Sequence, residues 1–189
     1  MNQTAPLLDS HDYGEVLESG AVRFTRLLPG PVARVWRYIT EPDLRAKWLA
    51  GGPMELRLGG KVALEFWNDQ LSAEADPTPT EYCGCDGAAL LGRITALEPP
   101  RLLAFTWGED GSEGGQPVSE VTFELSEQPG GKVLLVLTHR RLTTDLMRNV
   151  GPGWHTHLDT LVMTAEGRRV DSFWQRFLAL RAYYSALIK

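Results

Sequence analysis

Apolar and polar side chains alternate with the period of a β-strand between residues 14 and 28. Gly20 interrupts this stretch and predicts a turn or bulge within it. The Pro-Gly-Pro of residues 29–31 is typical of the end of a strand and the first turn of a helix. That helix would bury one stripe of side chains, formed by Val32, Val35, Trp36 and Ile39. Pro42 ends it, and a second short helix is predicted around Leu44.

Six further strands are predicted from the same alternation. They cover Met54–Leu58, 62–67, Leu90–Leu97, Leu102–Trp107, Val118–Leu125 and Lys132–Arg140. In the second of them, Phe66 and Trp67 fall on opposite faces, and Glu65 is expected to face solvent. The last strand is apolar on both faces for most of its length, so we expect it in the interior of the sheet.

The C-terminal part of the chain predicts two helices. The first has a broad apolar stripe, formed by Trp154, Leu158, Leu161, Val162 and Ala165. Pro152 suits its start and Gly167 its end. The last helix, within residues 171–189, is expected to be capped by Asp171 or Ser172. Its own apolar stripe must dock either on this sheet or on a partner subunit, which leaves a homodimer open.

Two long loops separate the predicted strands. Residues 68–87 are acidic and contain no Lys or Arg, and residues 108–117 are rich in Gly. Loops of such length are uncommon in compact domains, so residues 68–87 are either a surface insertion or a flap over a cavity mouth. We predict one domain over residues 13–189, preceded by a loose arm at residues 1–12.

Composition narrows the class of protein. The chain has 189 residues, of which 43% are hydrophobic and 23% charged, as in soluble globular proteins. Its net charge of -5 argues against a nucleic-acid partner. No apolar run is long enough for a membrane span, and the acidic N-terminus is unlike a signal peptide, so we expect a cytoplasmic protein.

Cys83 and Cys85 are the only cysteines of the chain. A disulfide between them would close a small, strained ring, so we interpret them as plain thiols. No further Cys or His lies close enough in the sequence to complete a metal site with them. We therefore expect no metal and no cofactor.

Three stretches of the chain resemble a known family. They are the aromatic helix and Pro-Asp turn of residues 35–48, Gly92 with Pro99-Pro100 and Phe105-Thr106-Trp107, and the Gly-Trp-His-Thr-His-Leu-Asp of residues 153–159. Their order and spacing resemble the activator of heat-shock protein 90 ATPase homologue family, in the START/Bet v-like superfamily, over roughly residues 20–167. The resemblance implies an α+β helix-grip fold, in which a curved antiparallel sheet wraps around a long C-terminal helix.

The same resemblance implies an internal cavity suited to a small hydrophobic molecule. Eukaryotic co-chaperones of the family carry a separate N-terminal domain that engages the chaperone. Here the first strand is predicted within residues 14–28, which leaves no room for that domain. We therefore do not expect a chaperone partner.

The candidate ligand-binding residues are aromatic and polar side chains expected near that cavity. They are Trp67, Phe105, Trp107, His139, Trp154, His155 and Leu158. His139 shares strand parity with Val133, Leu135 and Leu137, so it would end an apolar face.

Two further histidines lie on the first C-terminal helix. His155 and His157 would point about 200° apart on that helix, so they cannot chelate one ion. His155 and Asp159 are spaced to pair, and the carboxylate would raise the imidazole pKa.

Three functions remain open from the sequence. The first is non-catalytic binding of a small hydrophobic ligand, with no catalytic residue assigned. The second is a cyclase or hydrolase that uses one His and one acid in the same cavity. The third is a chaperone-associated protein-interaction module, in which the sheet or the last helix binds a chaperone or another chain.

Overall fold

The computed structural model describes residues 14–18, 20–85, 87–109 and 118–188, apart from the side chains of residues 84 and 85. The strands are β1 Glu15–Leu17, β2 Ala21–Pro29, β3 Lys61–Glu65, β4 Ala89–Glu98, β5 Leu102–Trp107, β6 Ser119–Gln128 and β7 Lys132–Arg140. The helices are α1 Val32–Thr40, α2 Pro42–Arg45, α3 Thr144–Ala165 and α4 Phe173–Leu187, with 3-10 turns at Asn68–Gln70 and Thr80–Cys85. The predicted arm at residues 1–12 and most of the predicted loop at 108–117 lie outside the described residues.

The seven strands form one antiparallel sheet in the order β1-β2-β7-β6-β5-β4-β3. The prediction that β7 is interior is confirmed, because it pairs with β2 on one side and β6 on the other. A register shift between Ile94 and Ala96 interrupts β4, and such a bulge bends a strand. The curved sheet and the C-terminal helices confirm the predicted α+β helix-grip fold.

The main core lies between the inner face of the sheet and α3. From the sheet it takes alternate residues, for example Val133, Leu135 and Leu137 of β7, all with no more than 1% of their surface exposed. From α3 it takes Leu158 and Leu161, which are fully buried. The period-2 and helical patterns of the sequence thus meet in a single apolar layer.

One predicted strand is divided in the structure, and another does not form. Gly20 divides the first predicted strand into β1 and β2, with the positive φ of a turn, as expected. The predicted strand Met54–Leu58 is wrong: only Met54 pairs, through an isolated bridge to Val62, and Gly51 bridges Glu65 in the same way. The alternating apolar side chains of this segment do not form a buried face, since Leu56 and Leu58 remain exposed.

The helix α3 begins earlier than predicted. It starts at Thr144 rather than at Pro152, and the proline lies inside it. Thr143 caps this start, because its Oγ1 accepts a hydrogen bond from the backbone N–H of Leu146 at 3.3 Å. Proline removes one backbone donor, a local cost that the buried helix tolerates. Gly167, with φ of 77°, follows the end of the helix as predicted.

The last helix, α4, docks on its own chain. Ser172 caps it, since its Oγ accepts from the N–H of Gln175 at 3.1 Å. Phe173, Leu180 and Tyr184 are buried against α3 and the rest of the core, whereas Leu187 is exposed. Within the described residues, no helix is both long and apolar enough to cross a membrane.

A buried arginine holds the segment after α2 together. The guanidinium of Arg45 is 1% exposed and donates to the backbone carbonyls of Ile39, Thr40, Ala50, Gly51 and Gly52. Burial lowers its pKa to about 10, so it stays charged at neutral pH. Arg45 is thus the common donor to these five carbonyls, and residues 39–52 are arranged around its side chain.

Candidate functional site

A cavity of about 400 Å³ lies between α3, the start of α4 and the β3–β5 end of the sheet. It is lined by Leu49, Phe66, Asn68, Tyr82, Ala88, Ala89, Leu90, Trp107, Asn149, Val150, Gly153, Trp154, His157, Phe173, Trp174 and Phe177. None of these described lining residues carries a formal charge at neutral pH. The size and the apolar lining are those of a site for a small molecule.

Aromatic rings form most of the walls. Trp107 and Trp154 meet at the inner wall, with ring centroids 4.9 Å apart and planes tilted by 58°. Phe66 packs edge-on against Trp107, with ring centroids 6.0 Å apart. Such contacts hold the rings in fixed positions, so the walls are preformed for a ligand.

The roof of the cavity is a second, smaller apolar cluster. It consists of Leu71, Val170, Phe173 and Trp174, with Tyr82, Met163 and Phe177 packed against it. Tyr82, from the long acidic loop, stacks on Trp174 of α4 with centroids 5.3 Å apart. The described part of residues 68–87 therefore covers the cavity, which supports the flap interpretation over that of a surface insertion.

Asp76 ties this loop to the start of α4. One carboxylate oxygen accepts from the hydroxyl of Ser172 at 2.9 Å, and the other from Ser72 at 2.6 Å and from the N–H of Trp174 at 3.0 Å. Burial alone would raise the pKa of Asp76, but the donors around it together hold that pKa below its usual value. The N–H of Ala73 adds a backbone bond to the carbonyl of Val170 at 2.8 Å.

Replacing Asp76 with Ala is expected to lower the free energy of unfolding by about 1–2 kcal/mol, as for the loss of a helix cap. The expected reason is that Trp174 N–H and the hydroxyls of Ser72 and Ser172 lose their acceptor. Urea denaturation measures the change. Asp171→Ala, at an exposed neighbouring position, is the control and should have little effect. An equal loss in both variants would contradict the anchoring role of Asp76.

His157 supplies a polar group at the cavity wall. Its Nδ1 lies 2.8 Å from the carbonyl oxygen of Trp48, which can only accept, so Nδ1 carries the hydrogen. Burial lowers the imidazole pKa to about 4, so the ring is neutral at pH 7. In that tautomer Nε2 has a free lone pair and is the hydrogen-bond acceptor that His157 can offer.

His139 lies behind the wall and positions it. The indole N–H of Trp154 donates to Nδ1 of His139 at 3.0 Å, so the ring hydrogen is on Nε2 and points to Ser119 Oγ at 2.8 Å. Ser119 in turn donates to the carbonyl of Trp107 at 3.5 Å. Burial lowers the pKa of His139 to about 3. His139 is therefore a positioning residue for the two tryptophans of the wall.

His155 lies away from the cavity. Its Nδ1 is 3.1 Å from the hydroxyl of Tyr184, and its Nε2 is 3.6 Å from Asp159. The predicted pairing is present, but the predicted rise in pKa is wrong. Burial lowers the pKa to about 4 and outweighs the carboxylate, which also binds Arg26 at 2.8 Å and Arg176 at 2.6 Å.

Of the predicted site residues, Trp107 and Trp154 line the cavity, and His139 lies directly behind them. Trp67 does not line it and is 47% exposed, whereas its neighbour Phe66, directly after β3, lines the cavity instead. Phe105 is buried in the core between Trp107 and Phe123, and Leu158 is buried under the sheet. Trp67, Phe105, Leu158 and His155 therefore lie outside the cavity lining, contrary to the expectation that they would be near it.

Several lining residues had no place in the sequence-based set. Phe66 has the strand parity of Leu64, and His157 is one helical turn from Trp154, so both signals were present in the sequence. Tyr82, Trp174 and Phe177 come from a loop and a helix that meet only in the fold. Nothing local in the sequence indicates that meeting.

Two polar atoms on lining residues are buried without a hydrogen bond within the described part of the chain. They are Oδ1 of Asn68 and Nε1 of Trp174. A buried unpaired group costs about 1–3 kcal/mol. An added hydrogen-bond partner at either atom would remove this cost.

Cys83 is exposed and forms no disulfide. Its thiol lies 3.6 Å from the carbonyl oxygens of Thr78 and Pro79. The side chain of Cys85 is outside the described residues. Among the described residues, no group of three or more His, Cys, Asp or Glu side chains is arranged to hold a metal ion.

The sheet, the long helix and the apolar space between them define a helix-grip protein of the type that holds ligands in a cavity. The chain belongs to the family described as Activator of Hsp90 ATPase homolog 1-like protein, whose sequence model matches residues 29–166.

Solved structures agree with this assignment. The chain is 39% identical to the protein encoded by gene BPP1335 of Bordetella parapertussis, with a TM-score of 0.75, covering 92% of this chain and 88% of that one. It is 26% identical to CalU16 of Micromonospora echinospora, with a TM-score of 0.64, covering 93% and 94%. No functionally curated protein matches the chain.

Proposed function

We propose that this protein binds a small, uncharged, apolar molecule in the cavity under the roof, without transforming it. The observation that carries the proposal is the preformed cavity of about 400 Å³ with aromatic walls and no charged residue among its described lining. An apolar ligand there would leave water and gain contact with rings already fixed in place. Family membership supports the proposal, because this fold typically holds ligands in a cavity.

Catalysis by a His and an acid receives less support. No carboxylate is present among the described lining residues. His155 has its acid, Asp159, but that pair lies outside the cavity lining and the acid is shared with two arginines. His139 hydrogen-bonds to Trp154 and Ser119 rather than to an acid. A general base needs to reach the substrate, and neither of these histidines lines the cavity. His157 does line it, but its Nδ1 bonds to the backbone carbonyl of Trp48 and not to an acid.

A cavity-filling variant tests the proposal. Gly153 lines the cavity, and a Cβ added to it would meet no atom within 4 Å. Gly153→Leu should therefore fill part of the space and also favour the helix. We expect it to weaken the binding of N-phenyl-1-naphthylamine, an uncharged apolar dye, at least tenfold, as measured by fluorescence titration.

Ala182→Leu is the matched control for this experiment. It adds a leucine at an exposed position of α4 that is not part of the lining, and dye binding should stay unchanged. Equal binding by wild type and a folded Gly153→Leu variant would contradict the assignment of the cavity as the binding site. Absence of dye binding to the wild type would count against the function itself.

A further inference from the structure

The geometry points to a ligand of defined chemistry: an uncharged ring compound that donates a hydroxyl or N–H hydrogen to Nε2 of His157. This inference rests on the proposed function, since it assigns the class of molecule that the same cavity would bind. It assigns a specificity-determining role to a residue that sequence reasoning left out of the site.

The tautomer of His157 sets the direction of the hydrogen bond. Nδ1 must donate, because its partner at 2.8 Å is the carbonyl oxygen of Trp48. The neutral ring then has its one remaining polar atom, Nε2, as an acceptor. His157 is 6% exposed and lines the cavity, so a ligand bound there is placed to donate a hydrogen bond to Nε2. An ether, carbonyl or carboxylate oxygen of a ligand is itself an acceptor, so its lone pair would repel that of Nε2.

The charge of the site favours a neutral ligand. The described lining contains no Lys or Arg to pair with an anion, and no Asp or Glu to pair with a cation. An ionised group placed there would lose its hydration without compensation. His157 itself does not change this at pH 7, because burial lowers its pKa to about 4.

The surroundings of Nε2 favour a ring over a flexible chain. The imidazole of His157 contacts two aromatic side chains of the lining, with ring centroids 4.9 Å from Phe173 and 6.3 Å from Phe66. A hydroxyl on a flat ring could reach Nε2 while the ring itself contacts these side chains. Rigid rings also lose less conformational freedom on binding than alkyl chains of similar area.

Three naphthalenes of nearly equal size test the inference. They are 2-naphthol, which donates one hydrogen bond, 2-methoxynaphthalene, which cannot donate, and 2-naphthoate, which is anionic. Affinities are measured by isothermal titration calorimetry at pH 7 with the wild-type protein, His157→Phe and His155→Phe. His155→Phe is the matched control, because it replaces a buried histidine of the same helix that lies outside the lining.

We expect the wild-type protein to prefer 2-naphthol over 2-methoxynaphthalene by about 5- to 10-fold, the contribution of one net hydrogen bond. His155→Phe should keep this preference, and His157→Phe should lose it by binding both compounds alike. 2-Naphthoate should bind more weakly than both. In the wild-type protein labelled with ¹⁵N-histidine, the Nε2 resonance of His157 should move with 2-naphthol and stay in place with 2-methoxynaphthalene.

The outcomes separate this inference from the proposed function. Equal affinity of the wild type for the two neutral compounds, an unmoved Nε2 resonance with 2-naphthol, or a preference for 2-naphthoate would each overturn the donor assignment. A preference retained by His157→Phe would do the same. In each of those cases ligand binding in the cavity would still stand, although a preference for 2-naphthoate would also contradict the uncharged ligand of the proposed function. Failure of all three compounds to bind the folded protein would overturn both.

Discussion

Lowering the pH from 7 to 5 is expected to remove most of the stability of this protein. The reason is that His139, His155 and His157 are buried with pKa values of about 3 to 4, against 6.5 in the unfolded chain. Between those values the unfolded state binds protons that the folded state does not. Stability therefore falls as the pH falls from 6.5 toward 4.

The size of this effect follows from linkage. Each of the three histidines is expected to cost about 2 kcal/mol at pH 5, and together they cost about 6 kcal/mol. That is comparable with the whole stability of an ordinary domain. Asp76, whose pKa is lowered, acts in the same direction once the pH falls below its unfolded value.

Urea denaturation at half-unit steps of pH measures the effect. His139→Gln is the control, because an amide can accept from Trp154 and donate to Ser119 without titrating. This variant should lose about a third of the pH dependence above pH 5. A free energy of unfolding that stays constant from pH 7 to 5 would contradict the neutral, buried state of these histidines.

Arg45→Met is expected to lower the free energy of unfolding by about 4 kcal/mol. Methionine retains much of the apolar volume but removes the donors to five backbone carbonyls between Ile39 and Gly52. A buried acceptor left without a donor costs about 1–3 kcal/mol, and this outweighs the relief of burying one charge less. Chemical denaturation at pH 7.5 checks the value.

Two further variants show whether the effect comes from the guanidinium of Arg45. Arg45→Lys keeps the charge but has at most three donors and no planar fork, so it should recover only part of the loss. Arg57→Met replaces an exposed arginine and should change stability little. If Arg45→Met were as stable as Arg57→Met, the guanidinium would not be what holds residues 39–52 in place.

Much of the fold could be predicted because its signals are local. The strands β4 to β7 and the helix α1 follow the spacing of their apolar residues to within a few positions. Local signals also misled. The alternation of Met54, Leu56 and Leu58 is typical of a strand. In the structure both leucines are exposed, so this segment does not form a buried apolar face. Pro152 looks like a helix start, yet the cap at Thr143 and burial of the helix carry α3 through it.

The site was less accessible to sequence reasoning than the fold. Helical geometry separates His155 from His157 by direction, but it does not tell which of them faces the cavity. The answer depends on where the sheet and α4 lie. In the structure His155 hydrogen-bonds to the hydroxyl of Tyr184, whereas His157 hydrogen-bonds to the carbonyl of Trp48. The roof depends on contacts such as Asp76 with Trp174, which are 98 positions apart in the chain.

The segment at residues 51–54 affects whether a second copy of the protein can pair with the edge of the sheet. Edge strands with free N–H and C=O groups are templates for adding a strand from another molecule. Here Gly51 and Met54 occupy the outer side of β3 through their bridges to Glu65 and Val62. At the opposite edge, β1 is only three residues long. The bridges of Gly51 and Met54 keep a second copy from adding a strand along β3, whereas β1 pairs only with residues 21–23 of β2, and no described strand pairs with residues 24–29 on that side.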